Sequence, residues 1–129
     1  MPNPEDAPRT TILLIEDHEA DIALVREALA QVKGARYELE YTHGLSEGLA
    51  RLAAGGIDVV LLDLMLPDCA GLESFVQVRT AVPELPIVVL TGLDDEALAL
   101  QTLQRGAQDY LVKSETQASP DLLWRSIRY

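Results

Sequence analysis

Five short apolar runs alternate along the chain with segments of helical periodicity, and four of the five end in a polar residue suited to chemistry. The first run, residues 11–15, is continuously apolar after Thr11, as expected for a strand covered on both faces. It ends abruptly in Glu16 and Asp17. From about residue 20 to 32, Ile22, Val25, Leu29 and Val32 recur at helical spacing, and Lys33 and Gly34 read as a stop. Residues 37–41 alternate apolar and polar, which predicts a less covered strand near a sheet edge. Ser46 reads as the cap of a second helix through Leu49, Leu52 and Ala53, ended by Gly55 and Gly56.

Residues 57–63 form the most central-looking strand, ending in Asp63. A loop over 67–71 leads to a helix through Leu72, Phe75, Val76 and Arg79, and Pro83 and Pro86 mark the next break. Residues 87–90 predict a fourth strand ending at Thr91 and Gly92. Asp94 or Asp95 is a candidate cap for a helix through Leu98, Leu100 and Leu103 to Gly106. A short last strand, 109–112, ends in Lys113. Ser119, Pro120 and Asp121 then open a helix carrying Leu122, Leu123 and Ile127. Strict alternation of this kind implies parallel strands with right-handed crossovers and helices on both faces of one sheet. The expected fold is a doubly wound α/β domain.

In such a sheet, ligands bind at the carboxyl ends of the strands. Glu16, Asp17, Asp63, Thr91 and Lys113 are all placed there. Clustered carboxylates repel one another, so the group calls for a cation. All-oxygen ligands favour Mg²⁺, which shares its shell readily with phosphate. Lys113 can neutralise a phosphate oxygen and Thr91 can donate a hydrogen bond to another. Asp63 is placed as a nucleophile that forms an aspartyl-phosphate.

The residues around these positions resemble a response-regulator receiver domain of two-component signalling. The resemblance rests on residues 14–17, on 61–67 with Gly71, Leu72 and Glu73, on 89–92 and on 106–113. It covers roughly residues 10–129, and its motifs stand in order at the family's spacing. It implies a flavodoxin-like sheet of strand order 2-1-3-4-5 with five helices. It implies Mg²⁺ held by Glu16, Asp17, Asp63 and the backbone carbonyl of Met65. Asp63 is then the phosphoacceptor, Thr91 the switch hydroxyl with Gly92 leaving it room, and Lys113 the phosphate-pairing lysine. Tyr110 resembles the aromatic that couples the site to the face of the fourth helix, fifth strand and fifth helix. One departure is Ser114, where the family usually has proline after the lysine. A cis bond before a non-proline costs about 2.5–4 kcal/mol, so a trans bond is expected, and the reach of Lys113 is left open.

The implied function is a phosphoacceptor switch, not an enzyme turning over a free metabolite, charged by a histidine kinase or phosphotransfer protein. Its output is a partner or an attached module, and a homodimer is a further expectation. The formal net charge of −11 argues against direct binding of nucleic acid or anionic membrane. No apolar run approaches a membrane span, and residues 1–9, polar and proline-rich, read as a disordered leader without secretory character. The single cysteine, Cys69, excludes an internal disulfide and fits a cytoplasmic setting. The last helix lacks a stop signal, so a longer helix leading to an output module is expected.

Each residue also has a plainer reading. Asp63 alone could be a strand-end turn residue, Thr91 an ordinary strand residue and Tyr110 a core-edge aromatic. His18 reads as an exposed residue at a helix start, and His43 and Cys69 as structural or incidental. A haloacid-dehalogenase-like phosphatase needs a second acid two residues after the nucleophile, where this chain has Met65. A flavodoxin-like cofactor module lacks its phosphate loop here. A degenerate receiver used only for docking is disfavoured by the intact acidic set.

Overall fold

The computed structural model describes residues 9–92 and 95–128. The order of elements is β1 (Thr10–Ile15), α1 (Glu19–Ala30), β2 (Tyr37–Thr42), α2 (Leu45–Ala53), β3 (Val59–Asp63) and α3 (Leu72–Ala81). β4 (Ile87–Thr91), α4 (Glu96–Gln104), β5 (Asp109–Val112), α5 (Lys113–Ala118) and α6 (Pro120–Arg128) follow. The five strands are all parallel in the order β2-β1-β3-β4-β5. Of the continuous apolar strands, β3 and β4 are buried at every position and β1 over its last four residues, while alternating β2 lies at the edge.

Alternate side chains of the sheet feed two cores. Ile12, Leu14, Val59, Leu61 and Leu90 pack under α1 and α6 with Val25, Leu29 and Leu123. Leu13, Ile15, Val60, Leu62 and Val89 pack on the other face with Leu52, Phe75 and Val78 of α2 and α3. Side-chain period two thus places α-helices on both faces. At the amino end of the sheet, the Arg79 guanidinium donates to the carbonyls of Val82 (2.7 Å), Leu85 and Gly106 (3.2 Å). This ties the end of α3 to the approaches of β4 and β5.

Two expectations need correction. Among the described residues there are six helices, not five, because α5 begins directly at Lys113. A residue before proline avoids the helical region, so Ser114 in place of proline frees Lys113 to turn at once. The peptide bonds of the described residues are all trans. Thr116, which is buried, donates through Oγ1 to the Lys113 carbonyl at 2.7 Å. The helix expected as the fifth is therefore α6, opened by Pro120 as read. Ser46 does not cap α2; the N-cap is Gly44, two residues earlier, and the helix starts at Leu45. Its first amides are capped from the loop after β3, where Asp68 accepts from Leu45 N–H (2.9 Å) and Ser46 N–H (3.0 Å). Asp95 occupies the N-cap of α4 without a side-chain cap bond. Residues 1–8 of the expected leader, the alternative cap Asp94 and Tyr129 lie outside the described residues.

Candidate functional site

Sheet register builds the site. Ile15 pairs with Leu62, so the next residues along, Glu16 and Asp63, stand abreast at the carboxyl edge. Asp63 itself pairs with Leu90, and Thr91 with Val112, which sets Thr91 and Lys113 one step outward on the neighbouring strands. All of these except the half-buried Lys113 and Asp17 are buried. Lys113 bridges the group: its Nζ lies 2.8 Å from Glu16 Oε2, 2.9 Å from Asp21 Oδ2 and 3.4 Å from Asp63 Oδ2. Leaving the strand through a helical turn thus does not keep the ammonium from the carboxylates.

Asp63 is held on one side only. Its Oδ1 accepts from Met65 N–H at 3.0 Å, while buried Oδ2 accepts no hydrogen bond. A buried carboxylate oxygen in that condition is costly unless a cation serves it. Burial lifts the Glu16 carboxyl from 4.5 to about 7, against the hydrogen bond from Lys113, and the charge of Asp63 adds to the rise. Burial also works against the Lys113 charge. Its bonds to Glu16 and Asp21 and the charge of Asp63 overcome this and hold the ammonium above its usual range. Ligand atoms of Glu16, Asp17, His18 and Asp63 all lie within 4.8 Å of one another. Opposite ligands of an octahedral shell are about 4.2 Å apart, so this donor set has the span a divalent cation needs.

Thr91 Oγ1 donates to the Gly92 carbonyl at 3.0 Å. Tyr110 is half-buried against the core beneath α2 and α3, next to a groove between α4 and β5 that Glu96, Val112 and Leu122 also line. Leu93 lies outside the described residues, and Met65 is half exposed. Burial, then the charges of Glu73 and Asp68, push the Cys69 thiol up, away from reactivity.

Three residues escaped the sequence reading. Asp21 shares Lys113, and its one signal is its spacing, one helical turn beyond Asp17. Asp68 had no local signal, since it caps a helix 22 residues away. His18 was read as exposed, and its side chain is 65% exposed, yet its Nδ1 is 3.4 Å from both Glu16 Oε1 and Asp17 Oδ1.

The sequence model of the response regulator receiver domain matches residues 12–122. The swarming motility regulation protein RssB of Serratia marcescens is 34% identical over 114 residues, covering 88% of this chain and 50% of that protein. The chain spans about half the length of the curated relatives it matches. A crystal structure of the phosphorylated cyanobacterial phytochrome response regulator RcpA is 26% identical with TM-score 0.70, covering 93% of this chain and 89% of that one. The Mn²⁺-bound form of response regulator Rcp1 is 26% identical with TM-score 0.71, covering 84% and 90%. Among the described residues, no helix is long and apolar enough to cross a membrane.

Proposed function

This chain belongs to the response regulator receiver domain family, a family of signalling domains, and on that premise we propose that Asp63 accepts a phosphoryl group. The observation that carries the reading is Asp63 Oδ2, buried, free of hydrogen bonds and 3.4 Å from the Lys113 ammonium. The donor is a phosphohistidine on a histidine kinase or phosphotransfer protein. A P–O bond forms to the Asp63 carboxylate as the P–N bond breaks, and the imidazole leaves with the bonding pair and takes up a proton. Glu16, Asp17, Asp63 and the Met65 backbone carbonyl would hold Mg²⁺, which would supply charge neutralisation at the phosphoryl oxygens. Both supports have parallels in the relatives: one is phosphorylated and one binds Mn²⁺.

Lys113 exchanges its carboxylate partners for a phosphoryl oxygen. Thr91 gives up the Gly92 carbonyl and donates to another oxygen, and Tyr110 follows into the space vacated. The face formed by α4, β5 and α6 is thereby reshaped, as a shift between two populated states. Leu100 and Leu122, each about half exposed, give that face apolar ground for an output module, a partner protein or a second copy. A cytoplasmic setting, a receiver unit over 10–129 and output without direct nucleic-acid or membrane contact complete the reading.

The test is acetyl phosphate or beryllofluoride with Mg²⁺, read by intact mass and by amide shifts around α4. Wild type gains one phosphoryl group and shifts, while Asp63→Asn does neither. A wild type that changes in neither readout ends the phosphoswitch reading.

A further inference from the structure

We propose that the His18 imidazole is an additional ligand of the acidic site and biases it from Mg²⁺ towards nitrogen-accepting divalent ions of the Co²⁺ to Zn²⁺ series. The inference rests on the reading of Glu16, Asp17 and Asp63 as a cation site and goes beyond it in assigning ion selectivity. His18 Nδ1 stands 3.4 Å from Glu16 Oε1 and 3.4 Å from Asp17 Oδ1. Adjacent ligands of an octahedral shell are about 3.0 Å apart, so Nδ1 holds a position beside both carboxylates. One ring nitrogen of His18 and one oxygen each from Glu16, Asp17 and Asp63 fit within a 4.8 Å span. The independent sign of a ligand is Asp63 Oδ2, buried in the same cluster without a hydrogen-bond donor.

The backbone of His18 is fixed for the task. As N-cap of α1, its carbonyl accepts from Asp21 N–H and Ile22 N–H, both at 3.0 Å, and its N–H donates to Glu16 Oε1 at 3.2 Å. The ring therefore turns about an anchored residue, and its exposure leaves it free to reorient onto an ion. Imidazole suits Co²⁺, Ni²⁺ and Zn²⁺, whereas Mg²⁺ prefers oxygen and retains water. Adding one nitrogen to an oxygen set raises affinity for the former and does little for the latter.

The other histidine, His43, pairs with Glu19 at 2.9 Å and serves as the control. Calorimetric titration of the full chain with Mg²⁺ and with Co²⁺ separates the outcomes. In His18→Ala the Co²⁺ Kd is expected to rise about tenfold, and the Mg²⁺ Kd to change by less than about twofold. Pulsed EPR of bound Mn²⁺ is expected to record coupling to a ligated imidazole nitrogen in wild type and His43→Ala, and none in His18→Ala. An unchanged ratio of the two Kd values in His18→Ala, or nitrogen coupling absent from wild type, overturns the assignment of His18 alone. If wild type binds neither ion, the cation-site reading itself falls and takes the inference with it.

Discussion

The ammonium of Lys113 is hydrogen-bonded to the carboxylate of Asp21 at 2.9 Å, although the two lie 92 positions apart in the chain. The bond ties the entry of α5 to the first turn of α1, while the same ammonium faces Glu16 and Asp63. The three partners are not equivalent, because Glu16 and Asp63 are buried and Asp21 is not. Lys113→Met, which strands two buried carboxylates, is expected to lower the unfolding free energy by about 3 kcal/mol in EDTA at neutral pH. Asp21→Asn leaves Lys113 its buried partners and is expected to cost about 1 kcal/mol. Urea unfolding measures both, and equal losses would place the pairing on Asp21 instead.

Glu16 sets a pH dependence of the cation-free protein. Its carboxyl titrates near 7 when folded, against 4.5 ordinarily, so the folded state holds the proton more tightly. The resulting stabilisation is full below about 4.5 and is lost as pH rises through about 7. In EDTA, thermal melts of wild type are expected to fall between pH 5 and pH 8 relative to those of Glu16→Gln. Parallel pH profiles for the two proteins would refute it.

Asp68 makes the opposite contribution. Its bonds from the Ser46 and Leu45 amides hold the carboxyl below its usual value of 3.8. Stability from the cap is present above 3.8 and is lost as pH falls through the folded value. Asp68→Ala is expected to melt at a lower Tm than wild type at pH 7, with the gap closing as the medium is acidified. Hydrogen exchange at Leu45 and Ser46 should quicken in the variant; unchanged exchange at both amides counts against the cap.

Gly48 is a packing requirement on α2. A Cβ there would stand 2.5 Å from Ile15 Cδ1 and 2.9 Å from Ile15 Cγ1, and Ile15 is wholly buried. Helix propensity favours alanine by about 1 kcal/mol, but overpacking costs about 1–3 kcal/mol. Gly48→Ala is therefore expected to be destabilising, and Ile15→Val in the same chain to recover part of the loss. A stabilised Gly48→Ala, measured by denaturant midpoint, would reverse the packing account.

What could be read from residues alone follows the range of the forces involved. β3 and β4 announced themselves because burial on both faces demands unbroken apolar side chains, and β2 because an edge strand alternates. The strand-end placement of Glu16, Asp63, Thr91 and Lys113 followed from the same runs. α5 was missed because Lys113–Ala118 carries no apolar periodicity. The cap of α2 was misassigned to Ser46 because the carboxylate that serves it arrives from another loop. Asp21 is marked only by its spacing from Asp17 and His18 only by following the acidic pair, and neither signal says that their side chains turn towards Lys113 and the carboxylates.

Arg79 gathers the carbonyls of Val82, Leu85 and Gly106 at the end of the sheet opposite Asp63. Mechanically the domain is a plate pinned at one corner, where the chain enters β4 and β5. A plate held that way answers an edge load by flexing near the load, with displacement dying away towards the pinned corner. On the proposed reading of Asp63, that held end is the stationary frame against which movement begun at the opposite end can be measured.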